Sequence, residues 1–204
     1  MEITTKAGPA RVTLDEAVSS PGFLLVLTHG AAGGVDSPDL RAARQAGLDS
    51  GGAVAVVLQP YRVAGARAPG SAPRQDAAWL EIIAALRAEL DVPLIQGGRS
   101  NGARVACRTA RAVGAVAAIA LAFPLHPPGK ADQPDKSRAG ELRSAGVPVL
   151  VINGENDPFG VPAVGDADHL VVLPGETHSL SRHPAAVRAA VASWLASGSG
   201  RGWY

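Results

Sequence analysis

From about residue 22 to residue 173, short uninterrupted apolar runs alternate with longer segments of helical character. Apolar runs without polar alternation belong to strands covered on both faces, and their alternation with helices marks βαβ units and a mostly parallel sheet. The predicted strands are Phe23–Thr28, Ala53–Leu58, Val92–Gln96, Ala115–Leu121, Pro148–Ile152 and His169–Leu173. Ahead of them, Glu2–Thr5 and Arg11–Thr13 can pair as an antiparallel edge that turns at Gly8-Pro9. Helices are predicted over Ser37–Asp49, Ala72–Glu89, Asn101–Val113 and Pro184–Ala196. In the second of these, Trp79, Ile82, Ile83 and Leu86, with Leu90 beyond it, recur three and four residues apart and form one stripe to lie against the sheet. Pro184 suits a helix first turn.

At 204 residues the chain fits one domain, expected over residues 1–197. Residues 198–204 have a glycine- and serine-rich linker composition and read as a flexible tail, from which Trp203 and Tyr204 could still dock. Charged residues are 18% of the chain and nearly balanced, with a net charge of +1, so no field recruits nucleic acid or an anionic membrane. The polar start of the chain and the lack of a 20-residue apolar span lead us to expect a soluble, cytoplasmic protein. Cys107 is the only cysteine, which excludes an internal disulfide and a multi-cysteine zinc site; its place on a predicted helix suits a small buried hydrophobe. No metal or other cofactor is expected.

Gly98-Arg99-Ser100-Asn101-Gly102 stands between a predicted strand and a predicted helix. A serine at the tip of so sharp a turn needs small neighbours two residues before and two after, and this G-x-S-x-G spacing reads as a nucleophile elbow carrying Ser100. A serine nucleophile needs a base and an acid, which in elbow-type enzymes follow later in the chain, acid first. Both occur just past predicted strands. Asp157 follows Pro148–Ile152, and His178 follows His169–Leu173. Groups past the carboxyl ends of parallel strands share one rim, so the three can meet. Glu155 competes as the acid; Asp157 is preferred because Pro158 holds it extended.

An oxyanion formed at Ser100 needs two N–H donors. Asn101 supplies one, and Ala31, in the small-residue loop His29-Gly30-Ala31-Ala32-Gly33-Gly34, is chosen as the other, with Ala32 as its neighbouring alternative. His29 is expected to hold this loop. His126 is the rival base and otherwise lines the pocket, together with His29, Tyr61 and Arg62. Arg62, Arg67 and Arg74 read as solvated loop arginines, with an anion-binding patch as the alternative, and Arg99 as a brace for the turn. The longest irregular segment, Phe123–Arg138, is rich in proline and too short for a helical lid, so the site should be open.

The segments Leu27-Thr28-His29-Gly30-Ala31, Gly97-Gly98-Arg99-Ser100, Phe123-Pro124-Leu125-His126-Pro127-Pro128-Gly129-Lys130, Gly154-Glu155-Asn156-Asp157-Pro158-Phe159-Gly160 and Thr177-His178-Ser179 follow one another in order along nearly the whole chain. In these the chain resembles the α/β-hydrolases, specifically the small branch that includes testis-expressed protein 30 and the hydrolase-like region of the third subunit of the non-specific-lethal complex. The branch often carries methionine after the nucleophile, whereas this chain has Asn101. The resemblance implies an α/β-hydrolase fold with a mostly parallel sheet, helices on both faces and minimal or no lid. It also implies a cofactor-free serine hydrolase acting on a small carboxylic ester or related acyl substrate through Ser100, His178 and Asp157. Some members of the branch serve as parts of assemblies, so a non-catalytic interaction subunit is the alternative, its protein partner unspecified, as is an acyltransferase using the same residues.

Overall fold

The computed structural model describes residues 1–16, 18–199 and Trp203. Eight strands form one sheet, β1 (Glu2–Thr5), β2 (Gly8–Glu16), β3 (Leu24–Thr28), β4 (Ala53–Leu58), β5 (Leu94–Arg99), β6 (Ala117–Leu121), β7 (Val149–Gly154) and β8 (His169–Leu173), in the order β1-β2-β4-β3-β5-β6-β7-β8. From β4 to β8 every pairing is parallel; β1–β2 and β2–β4 are antiparallel. The turn of the edge hairpin is Lys6-Ala7 rather than Gly8-Pro9, because Gly8 already pairs with Thr5. Thr5 closes that turn with its hydroxyl, which donates to the Gly8 carbonyl and accepts from the Ala7 N–H. Pro9, which has no N–H, lies short of the β2–β4 register that begins at Arg11, so no ladder bond to β4 is lost.

Among the described residues, six α-helices flank the sheet: α1 (Pro38–Asp49), α2 (Pro60–Val63), α3 (Ala72–Glu89), α4 (Asn101–Thr109), α5 (Ala139–Arg143) and α6 (Pro184–Ser199). Successive strand residues point to opposite faces, and this divides the core into layers. Leu25, Leu27, Val54 and Val56 face α1 and α6, whose Leu40, Ala43, Val187 and Val191 join them. Leu24, Val26, Ala55 and Val57 face the other way, onto Trp79, Ile82, Ile83 and Leu86 of α3. Leu90 packs at the rim of that layer, so the predicted stripe is the buried one. Cys107 is buried beside Ala118, Ala120 and Val151, and burial pushes its thiol up to about 12.

Two short helices have no counterpart in the expected pattern, and α4 stops four residues early, at Thr109. Gly114, at φ 66°, then reverses the chain into β6. α6 runs on to Ser199, past the expected domain end at 197. Of the expected flexible tail, Trp203 packs edge-on against Trp194 with ring centroids 4.7 Å apart, and its N–H bonds the Gly198 carbonyl. Residues 200–202 and 204 lie outside the described residues. Among the described residues, no helix is long and apolar enough to cross a membrane.

Candidate active site

The elbow between β5 and α4 is a packing problem solved by glycine. A Cβ on Gly98 would come within 2.7 Å of the Thr28 carbonyl oxygen and the Gly102 carbonyl carbon; one on Gly102 would meet the Thr28 and His29 oxygens at 2.7 Å. Helix α4 thus starts in backbone contact with the end of β3. Ser100, between them, is held at φ 54° and ψ −114°, a conformation an L-residue adopts only when its surroundings impose it. Its N–H bonds the Leu121 carbonyl at 2.9 Å, and its hydroxyl makes no capping bond to the helix.

That hydroxyl lies 2.9 Å from His178 Nε2. His178 Nδ1 lies 2.8 Å from Asp157 Oδ2. A carboxylate only accepts, so Nδ1 carries the proton and Nε2 faces Ser100 with its lone pair. Asp157 is fully buried at its side chain. Its Oδ1 accepts the Phe159 N–H at 2.9 Å, and Asn153 Nδ2 reaches Oδ2 at 3.3 Å. Asn153 is itself fixed by a reciprocal pair with Phe123, accepting its N–H at 2.8 Å and donating to its carbonyl at 3.1 Å. The Phe159 ring stands edge-on to the imidazole, with centroids 4.4 Å apart. Glu155 is exposed and instead accepts the Gly175 N–H, so it stands apart from this relay.

Arg99 ties the base loop to the opposite layer. It donates to the His178 carbonyl at 2.7 Å and pairs through Nε with Asp39 Oδ2 at 2.8 Å. Asp39, in the first turn of α1, has a fully buried side chain; burial raises its carboxyl above the usual range, and the guanidinium beside it opposes that shift. Arg99 therefore braces more than the turn, because it joins α1, the elbow and the histidine loop.

The loop after β3 brings Gly30 beside Ser100, where a Cβ would lie 3.3 Å from the serine Cβ. The N–H groups of Ala31, Ala32 and Asn101 have no acceptor among the described residues, so they remain available as donors. Two side chains hold the loop. Tyr61, whose hydroxyl burial pushes up to about 12, donates to the Ala31 carbonyl at 2.8 Å, and Arg62 Nε donates to the Gly33 carbonyl at 2.9 Å. His29 corrects one expectation: it is fully buried and presents nothing to a ligand. Its Nδ1 donates to the Gly30 carbonyl at 2.8 Å and its Nε2 accepts the Gln59 N–H at 3.0 Å, which fixes the neutral tautomer, and burial lowers its pKa. Arg62, half-buried and bonded also to the Ala66 carbonyl, is likewise a loop brace. His126 is buried against the Phe159 carbonyl and has no bond to Ser100. Asn153 and the Asp39–Arg99 pair are the site's unanticipated members. Among the described residues, no three His, Cys, Asp or Glu side chains are grouped so as to hold a metal ion.

The sheet order, the elbow and the order of serine, acid and histidine along the chain define an α/β-hydrolase. The family model described as "Alpha/beta hydrolase domain" matches residues 21–180, and the chain belongs to this family. No curated protein matches the chain. Among solved structures, Est1E from Butyrivibrio proteoclasticus with ferulic acid bound superposes with a TM-score of 0.79 at 18% identity, over 97% of this chain and 98% of that one. A Xanthomonas campestris protein described as an α/β serine hydrolase without lid superposes at 0.73 and 22% identity, over 96% and 94% of the two chains. An esterase from Pyrobaculum calidifontis does so at 0.69 and 19%, over 100% and 85%. At these identities the likeness is one of fold.

Proposed function

We propose that the protein is a serine hydrolase that cleaves a carboxylic ester or related acyl bond, with Ser100 as nucleophile, His178 as base and Asp157 as the acid that orients it. One observation carries this reading. A strained serine hydroxyl lies 2.9 Å from an imidazole nitrogen whose other nitrogen is held 2.8 Å from a buried carboxylate. Folding alone has no use for this strain. The esterases among the structural neighbours agree with it, and so do the five segments that resemble the testis-expressed protein 30 branch.

In this mechanism the Ser100 oxygen attacks the acyl carbon while its proton passes to His178 Nε2. Asp157 stays ionised and holds the imidazolium. Negative charge collects on the former carbonyl oxygen, facing the N–H groups of Asn101 and Ala31. The bond to the leaving oxygen then breaks as His178 returns its proton there, leaving an acyl group on Ser100. Water, deprotonated by the same imidazole, releases the acid and restores the hydroxyl. A different acceptor in that last step would make the reaction a transfer.

A fluorophosphonate should add once to the intact protein, at Ser100, as read by mass. Ser100→Ala should abolish labelling, and its turnover of aryl esters should fall by about 10⁶. An unlabelled parent protein, or a labelled Ser100→Ala variant, refutes the proposal.

A further inference from the structure

A cavity of about 260 Å³ opens beside the oxyanion loop, between the residues that follow β4 and the start of α3. Its walls are mostly alanine and proline. Two of its lining residues bond to other atoms of the two residues whose N–H groups are assigned to the oxyanion. Tyr61 donates to the Ala31 carbonyl at 2.8 Å, and Gln75 Oε1 accepts from Asn101 Nδ2 at 2.7 Å. The cavity wall therefore adjoins the residues of the oxyanion position.

The polar groups of those walls are already engaged. Gln75 Nε2 donates to the carbonyls of Gly70 and Ser71, and Gln59 Nε2 donates to the Thr28 hydroxyl. Arg74 differs. It is exposed, makes no hydrogen bond or ion pair among the described residues, and is the one charged side chain among those lining the cavity. In the same wall α3 begins without a side-chain cap at Ser71, which adds the positive end of an 18-residue helix to the guanidinium.

Topology decides which half of an ester enters. The leaving oxygen takes its proton from His178, which follows β8, so the leaving group departs on the β7–β8 side of Ser100. The cavity lies on the other side, beyond β3, where β4 ends and β2 begins. It faces the acyl half.

We infer that this cavity is the acyl subsite and takes a short acyl chain ending in an anion, such as the monoester of a dicarboxylic acid of about five carbons, whose distal carboxylate pairs with Arg74. The inference rests on the serine-hydrolase reading for its reaction but not for its binding. Apolar walls accept the methylenes, at roughly a fourfold gain in affinity for each one buried.

Methanol release from monomethyl glutarate and methyl pentanoate, five acyl carbons each, is followed by NMR. We expect kcat/KM for the glutarate ester to be at least about tenfold higher, the scale of one charge-assisted hydrogen bond. Arg74→Gln should bring the ratio of the two substrates close to one. A ratio near one in the parent, or one that Arg74→Gln leaves standing, overturns the proposal, and so does a preference for 4-acetoxybutanoate, which carries its carboxylate on the alcohol side. Calorimetry of monomethyl glutarate with Ser100→Ala, alone and with Arg74→Gln added, reads the same site without turnover; equal affinities refute it. A protein that binds the glutarate ester through Arg74 but resists fluorophosphonate would retain the anion site and lose the hydrolase reading.

Discussion

Asn153 holds one corner of the site together: its amide oxygen takes the Phe123 N–H, and its nitrogen serves both the Phe123 carbonyl and Asp157. Asn153→Leu would leave a buried N–H and a buried carbonyl unpaired and release the acid. We expect a loss of roughly 2–4 kcal/mol in urea denaturation, with kcat on an aryl ester falling while KM changes less. His29 governs a second property. Unfolded, its imidazole protonates near 6.5; folded, burial holds it lower, and protonation would set a new N–H against the Gln59 N–H. The unfolded chain thus binds more protons, so stability from this residue is present above 6.5 and is lost as pH falls through 6.5 toward the folded value. A stability profile between pH 7.5 and 5 should slope downward, and His29→Gln should remove up to about 1.4 kcal/mol per pH unit of that slope. Ser100, Asp157 and His178 were legible because each follows a strand at a marked turn. Asn153, Asp39 and the reach of Arg99 were not, since their roles depend on partners 30, 60 and 79 residues away.

Among the elements, the β5–α4 junction shows why a local motif can be read with confidence of placement. Gly98 and Gly102 are required by contacts of 2.7 Å with neighbouring backbone, so the requirement is written in residue type. Gly102→Ala should destabilise the protein by about 3 kcal/mol or more, because a backbone atom cannot step aside. Gly140, in α5, would set its Cβ in open space, and Gly140→Ala should be neutral or stabilising by up to about 1 kcal/mol. Thermal unfolding of the two variants side by side tests the contrast. Long helices were readable from periodicity, and buried parallel strands from uninterrupted apolar runs. The four-residue α2 and the five-residue α5 are too short to show a period.

For the whole molecule, the connection between β6 and β7 opens with the longest stretch free of α-helix and strand on the rim that carries Ser100, residues 122–138. It holds only a 3₁₀ turn at Pro134–Lys136 and α5. Nothing there forms a long apolar wall, so an acyl tail beyond the 260 Å³ cavity gains little burial. Aryl acetate and butyrate should be cleaved with higher kcat/KM than octanoate or palmitate; a maximum at octanoate or beyond would reveal a tunnel. The same architecture gives Ser100 a second use. Its partner nitrogen lies 78 residues further along the chain, on the loop after β8, and β8 is an edge strand bonded only to β7. Such a distant closure requires β6, β7 and β8 to be in register beside β5. A half-built sheet can hold Ser100 in its turn but cannot activate it. Covalent capture at Ser100 during refolding therefore times the arrival of the last strand, and the hydroxyl serves as a chemical clock for the completion of the fold.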